Sequence, residues 1–160
     1  MEIYERNINI SCATLPHGRL QTRRGELDLN HNMRVEMTID RDTQTIVDAS
    51  SHLVKVPFRI CFLTTERIKN IIGLRIERGI NRKLADTLGR SEGCSHLFEL
   101  ALEAVRLSSN ILLGFTHMKE EWRDRRMNDE EFIERAKPFL KNSCLPFYEP
   151  EIKEDAYAIL

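Results

Sequence analysis

Between residues 33 and 39 the chain alternates without a break: Met33, Val35, Met37 and Ile39 are apolar, and Arg34, Glu36 and Thr38 between them are polar. A period of two sends successive side chains to opposite faces, so this segment predicts a β-strand with one dry and one wet face. Looser alternation precedes it. Ile3 to Ala13 carries Ile8, Ile10 and Cys12 on one side and runs into Leu15-Pro16-His17-Gly18, which predicts a strand entering a turn, with Cys12 directed into the sheet core. Arg19 to Leu29 predicts the return strand, Asn30-His31-Asn32 a break, and Arg41 to Gln44 a turn before a fourth strand over Thr45 to Ser50.

After Pro57 the period changes. Phe58, Cys61, Thr65, Ile68 and Ile72 recur at spacings of three or four, which predicts a helix over 57–72 that ends at Gly73. A short helix is expected from an Asn81 cap to Leu88, stopping at Gly89. A long one follows, with Leu97, Leu100, Ala101, Ala104, Leu107, Ser108, Ile111, Leu112 and Phe115 on one wide apolar face, running to about Arg125. The last helix is capped by Asn128 ahead of Asp129-Glu130-Glu131 and reaches about Lys141, with Trp122 expected to anchor it. Strands first and helices after them indicate an α+β fold: an N-terminal antiparallel sheet of three to four strands packed against C-terminal helices. Residues 1–160 are read as one such domain, with 142–160 as an extended acidic tail.

Composition narrows the function classes. The chain has 160 residues and a formal net charge of −1. Its first residues lack the basic start and apolar core of a signal peptide, and no apolar run approaches membrane-spanning length, so a cytoplasmic protein without membrane contact is expected. Cys12, Cys61, Cys94 and Cys144 are widely spaced with no C-x-x-C pair and read as reduced thiols. Charge is uneven. Residues 53–90 carry nine Lys or Arg against three acids, while residues 128–160 carry eight acids against four bases. Solvated helix faces and a tail docking by complementary charge are one reading of this pattern, and a basic surface for an anionic partner such as RNA, DNA or a nucleotide-bearing cofactor is the other. The near-neutral total and the lack of interleaved aromatics disfavour nucleic acid. Leu113 and Met118, off the main apolar face of the long helix, permit a homodimer.

The chemically suggestive stretch is Gly89-Arg-Ser-Glu-Gly-Cys-Ser-His-Leu97. Cys94 is expected at or just before a helix N-terminus, where free N–H groups favour a thiolate. His96, two residues on, could share a metal with it. Zinc takes cysteine sulfur and histidine nitrogen in tetrahedral sets, and Cys61 and His31 are the partners that would complete one. The candidate metal ligands are therefore His31, Cys61, Cys94 and His96. Gly89 and Gly93 could alternatively form an anion-binding nest, or Cys94 could be an activated nucleophile with His31 or His96 as base. Each pattern also suits simple packing. His17, His52 and His117 are expected at the surface, Cys144 as a docked or exposed thiol, and Arg123, Arg125 and Arg126 as a minor anion contact.

Two resemblances bear on these alternatives. With His31-Asn-Met33, Ile46-Val-Asp48, Pro57-x-x-x-Cys61, Gly73-Leu-x-Ile76-x-x-Gly79, Gly93-Cys94-Ser95-His96-Leu97 and Asn142-Ser-Cys144, residues 5–148 resemble an uncharacterised bacterial family of unknown function, marked by G-C-[ST]-H-L. More remotely, Ile46-x-Asp48, Cys61 with Gly73, and Cys94 with Leu97 and Ala101 resemble the scaffold family for iron-sulfur cluster assembly. That resemblance implies cysteines, an acid and a histidine converging at one end of the sheet to hold zinc or an iron-sulfur cluster. His31 stands where the family's first cysteine would be, and His96 follows Cys94 where the family's histidine precedes its cysteine. Three readings result: an accessory or scaffold protein binding a metal ion or cluster, a small-molecule or anion-binding domain or enzyme with an activated Cys94, and an interaction module without a site.

Overall fold

The structure is a computed structural model that describes residues 3–118 and 126–149. Its fold is α+β. Four strands, β1 (Arg6–Leu15), β2 (Arg19–Asp28), β3 (Asn32–Asp40) and β4 (Thr45–Lys55), form an antiparallel meander in sequence order. The helical elements follow: a 3-10 segment over Arg59–Ile71, α1 (Ile80–Leu88), α2 (Ser95–Leu113) continued by a π-helical turn over Gly114–Met118, α3 (Asp129–Leu140), and a 3-10 turn over Leu145–Phe147. Residues up to Leu112 form one compact unit and those from Leu113 onward another. Among the described residues, no helix is long and apolar enough to cross a membrane.

In the first unit, the alternation of β3 decides which way the sheet faces. Met33, Val35, Met37 and Ile39 are all buried, and their cross-strand partners share that face. Leu20, Thr22, Arg24 and Glu26 of β2 pair with Ile39, Met37, Val35 and Met33, so two charged side chains and a hydroxyl point inward. Ile46 and Ala49 of β4 join them. Against this face lie Ile68 and Ile71, then Leu84 and Leu88 of α1, then Leu97, Leu100, Ala101, Ala104, Val105 and Leu112 of α2. One polar bridge ties α2 to the sheet: the hydroxyls of Thr22 and Ser108 are 2.7 Å apart, and Ser108 is also 2.8 Å from the Ala104 carbonyl.

Several expectations need correction. The stretch expected as a helix over 57–72 is a 3-10 segment with Phe58 and Ile72 exposed. Its inward positions fall in two adjacent rows of three-residue period, Cys61, Thr64 and Arg67 beside Thr65, Ile68 and Ile71, which 3.0 residues per turn accommodates. The local cause is the Thr64-Thr65 pair, whose hydroxyls donate to the carbonyls three residues back, of Cys61 and Phe62, while Ser51 donates to the Thr65 carbonyl. Asn81 is not the cap of α1. Gly79 is, in the left-handed region at φ 94°, where a side chain would be strained. β4 runs five residues beyond Ser50, accommodated by register shifts that skip Val47 and Val54. Cys12 is only half-buried and Ile8 is exposed, because β1 is an edge strand that the helices cover poorly. Val105 is buried in α2, while Leu107 and Ile111 are intermediate.

In the second unit, Asn128 caps α3 as expected, its side chain accepting from the Glu131 N–H at 2.8 Å. Three acids occupy the first turn, where the helix dipole favours negative charge. Ala136 and Phe147 centre a small cluster with Met127, Phe132, Ile133 and Leu140. Cys144 is exposed. Trp122, Arg123 and Arg125, the final stretch of the expected long helix and the tail beyond Glu149 lie outside the described residues.

Candidate functional site

The site begins at the turn between β2 and β3. Asp28, the last residue of β2, accepts from the backbone N–H groups of Asn30 at 2.8 Å and His31 at 2.7 Å through one carboxylate oxygen. This Asx-type turn reverses the chain and turns His31 inward, where it is buried. The other oxygen of Asp28 takes the Arg6 Nε donor at 2.7 Å. Burial opposes ionisation of Asp28, but hydrogen bonds from Tyr4, the two backbone amides and Arg6 outweigh it and hold the carboxyl well below the usual carboxylate range. An ionised carboxylate only accepts. His31 Nδ1, 3.2 Å from Asp28 Oδ1, is therefore the donor of that contact, which directs Nε2 away from Asp28.

His96 reaches the same place from α2. The loop before that helix closes tightly: the Gly93 N–H donates to the Arg90 carbonyl at 3.1 Å and the Cys94 N–H to the Leu88 carbonyl at 2.8 Å. The Gly89 N–H donates to the Ala85 carbonyl at 3.0 Å, so the amides of both glycines are already bonded within the chain and neither is free for an anion nest. The helix begins at Ser95, and the His96 ring lies 3.9 Å from the His31 ring, centroid to centroid.

Beneath the two rings lies Glu26, with a side chain only 1% exposed. Donor atoms of Glu26, His31 and His96 all fall within 4.8 Å of one another. Its Oε2 is a distant 3.9 Å from Arg6, and its Oε1 has no hydrogen-bond partner among the described residues. Burying a carboxylate with an unmatched oxygen is costly. Two neutral imidazoles and a carboxylate suit zinc or another divalent first-row metal, with coordination positions left over. The Asp28–His31 contact has the form of the carboxylate–histidine pairs found behind metal-binding histidines.

Above this group opens a cleft of about 500 Å³. All four residues singled out from the sequence, His31, Cys61, Cys94 and His96, line it. Cys61 comes from the 3-10 segment and Cys94 from the loop before α2, and neither belongs to the compact donor group. Glu26 was not among the expected ligands. Its signal was a charged residue at a position whose register partner, Met33, belongs to the dry face. Asp48, the acid suggested by the scaffold-family resemblance, is exposed on β4 opposite Thr38 and is not part of the cleft wall. None of the nine basic residues of 53–90 lines the cleft. His17, His52 and His117 are at the surface, the last stacked on Phe139 at 3.8 Å.

No curated protein and no solved structure matches the chain. Residues 13–108, more than half of the sequence and containing every side chain of the cleft and its donor group, match the family described as protein of unknown function (DUF2889). The chain belongs to that family of unknown function.

Proposed function

We propose that this protein binds a divalent transition-metal ion through Glu26, His31 and His96, with Cys61 and Cys94 on the wall of the cleft that leads to it. The observation that carries the reading is the buried Glu26 carboxylate oxygen with no hydrogen-bond partner among the described residues, set beside two histidines at ligand spacing. Structural packing alone would leave that oxygen uncompensated, whereas a cation supplies what it lacks. A mononuclear ion fits this nitrogen-and-oxygen donor set better than an iron-sulfur cluster, which takes mainly thiolates. Zinc and iron(II) are the natural occupants, and an accessory or scaffold role and a catalytic one both begin with that ion.

Cobalt(II) tests this directly, since its visible bands report coordination number and donor type. Titration of the metal-free protein is expected to give one equivalent bound with a spectrum of nitrogen and oxygen donors. A thiolate charge-transfer band would bring Cys61 or Cys94 into the ligand set, and no binding would overturn the reading. Asp28→Asn is expected to weaken cobalt affinity by roughly 10–100-fold, the usual effect of losing a histidine's outer-shell carboxylate. Cobalt affinity unchanged in that variant would mean that Asp28 serves the turn alone.

A further inference from the structure

Resting on that metal reading, we infer that the cleft over Glu26, His31 and His96 receives a small organic monoanion with an apolar body, whose anionic oxygen completes the coordination of the ion. Charge sets the first half of the inference. A divalent cation with one carboxylate and two neutral imidazoles carries a net charge of +1, and three protein donors leave positions open. Both histidines line the cleft, so those positions open into it. A single negative oxygen neutralises the site.

The walls set the second half. Met33, Val56, Pro57, Phe58, Ile60 and Leu63 give the lining an apolar side, and the volume of about 500 Å³ is that of a pocket for a small molecule. No lysine or arginine lines it, and Glu92 does. A phosphate or a dicarboxylate would therefore find no second cation and would meet a negative charge, which selects against polyanions. The Thr64 hydroxyl is already donated to the Cys61 carbonyl at 2.7 Å, so the wall near it offers little polar competition. Phe58, Ile60 and Leu63 are 69%, 71% and 77% exposed, a cost in water that an apolar ligand body relieves by covering them.

Phenylacetate and acetate are suitable probes, because they share the carboxylate and differ in apolar body. With the cobalt(II)-loaded protein, phenylacetate is expected to shift the visible bands and to bind at least about tenfold more tightly than acetate, since one buried CH₂ contributes about a factor of four and the phenyl ring buries several times that area. Ile60→Ser combined with Leu63→Ser, both at exposed positions, is expected to narrow that ratio while leaving cobalt affinity unchanged. Bands that stay constant at millimolar phenylacetate, or equal binding of the two acids, would overturn the inference and leave the metal reading intact. Failure to bind cobalt at all would remove both.

Discussion

Glu26→Gln is expected to abolish metal binding and at the same time to stabilise the metal-free protein. The two effects have one cause. In the metal-free chain the Glu26 carboxylate sits in the interior with one oxygen unpartnered, and its nearest cation, Arg6, is 3.9 Å away and already committed to Asp28 at 2.7 Å. A buried charge so weakly compensated costs several kcal/mol, of which an uncharged side chain of the same shape recovers a part, on the order of 1 kcal/mol. The amide, however, is a poor ligand for a divalent cation. Its loss of affinity is expected to exceed the roughly 10–100-fold that follows removal of an outer-shell partner. Thermal melts separate the effects: the variant should melt above wild type without metal and below it at saturating cobalt(II), because binding at a hundredfold excess over Kd adds about 2.7 kcal/mol to the wild type alone. A variant that melts lower without metal and binds cobalt like wild type would identify Glu26 as a structural partner of Arg6.

The same residue shows where sequence reasoning reached and where it stopped. The alternation of Met33 to Ile39 was enough to orient the sheet, and His31, Cys61, Cys94 and His96, spread over 66 positions of chain, line one cleft as the order of strands and helices implied. Glu26 was hidden because the face of β2 depends on hairpin register, and register depends on the Asx-type turn at Asp28, which no hydrophobic period reveals. Counting back across that turn from Met33 lands on Glu26. The 3-10 segment was missed for a different reason. The spacing of Phe58, Cys61, Thr65, Ile68 and Ile72 is that of an α-helix, and the 3-10 winding leaves the first and last of them exposed, with the side-chain hydroxyls of Thr64 and Thr65 bonded to carbonyls three residues back. Cys61 faces inward under either winding and lines the cleft, whereas Phe58 and Ile72 would face inward only in the expected α-helix.

Gly93→Ala is expected to destabilise the fold by about 3 kcal/mol and to weaken cobalt binding with it, although residue 93 is no ligand. An added Cβ at this position would overlap the carbonyl oxygens of both Leu88 and Gly89, which are backbone atoms and cannot swing aside as a side chain would. Relief requires the 89–94 loop to open, which breaks the Cys94 N–H bond to the Leu88 carbonyl and leaves that α1 carbonyl without its partner. The loop already holds Arg90 at φ 62°, in the left-handed region, so little slack remains in it. Because α2 starts one residue after Cys94, a displaced loop moves His96 away from His31 and Glu26. Urea unfolding measures the first effect, and cobalt titration together with the alkylation rate of Cys94 measures the second, with faster labelling expected as the loop loosens. A loss below about 1 kcal/mol, with cobalt affinity unchanged, would show that the loop yields without disturbing the cleft. The glycine of the Gly-Cys-Ser-His-Leu stretch then acts through packing: it lets the 89–94 loop close against the end of α1, which delivers a cysteine to the wall of the cleft and a histidine to its donor group.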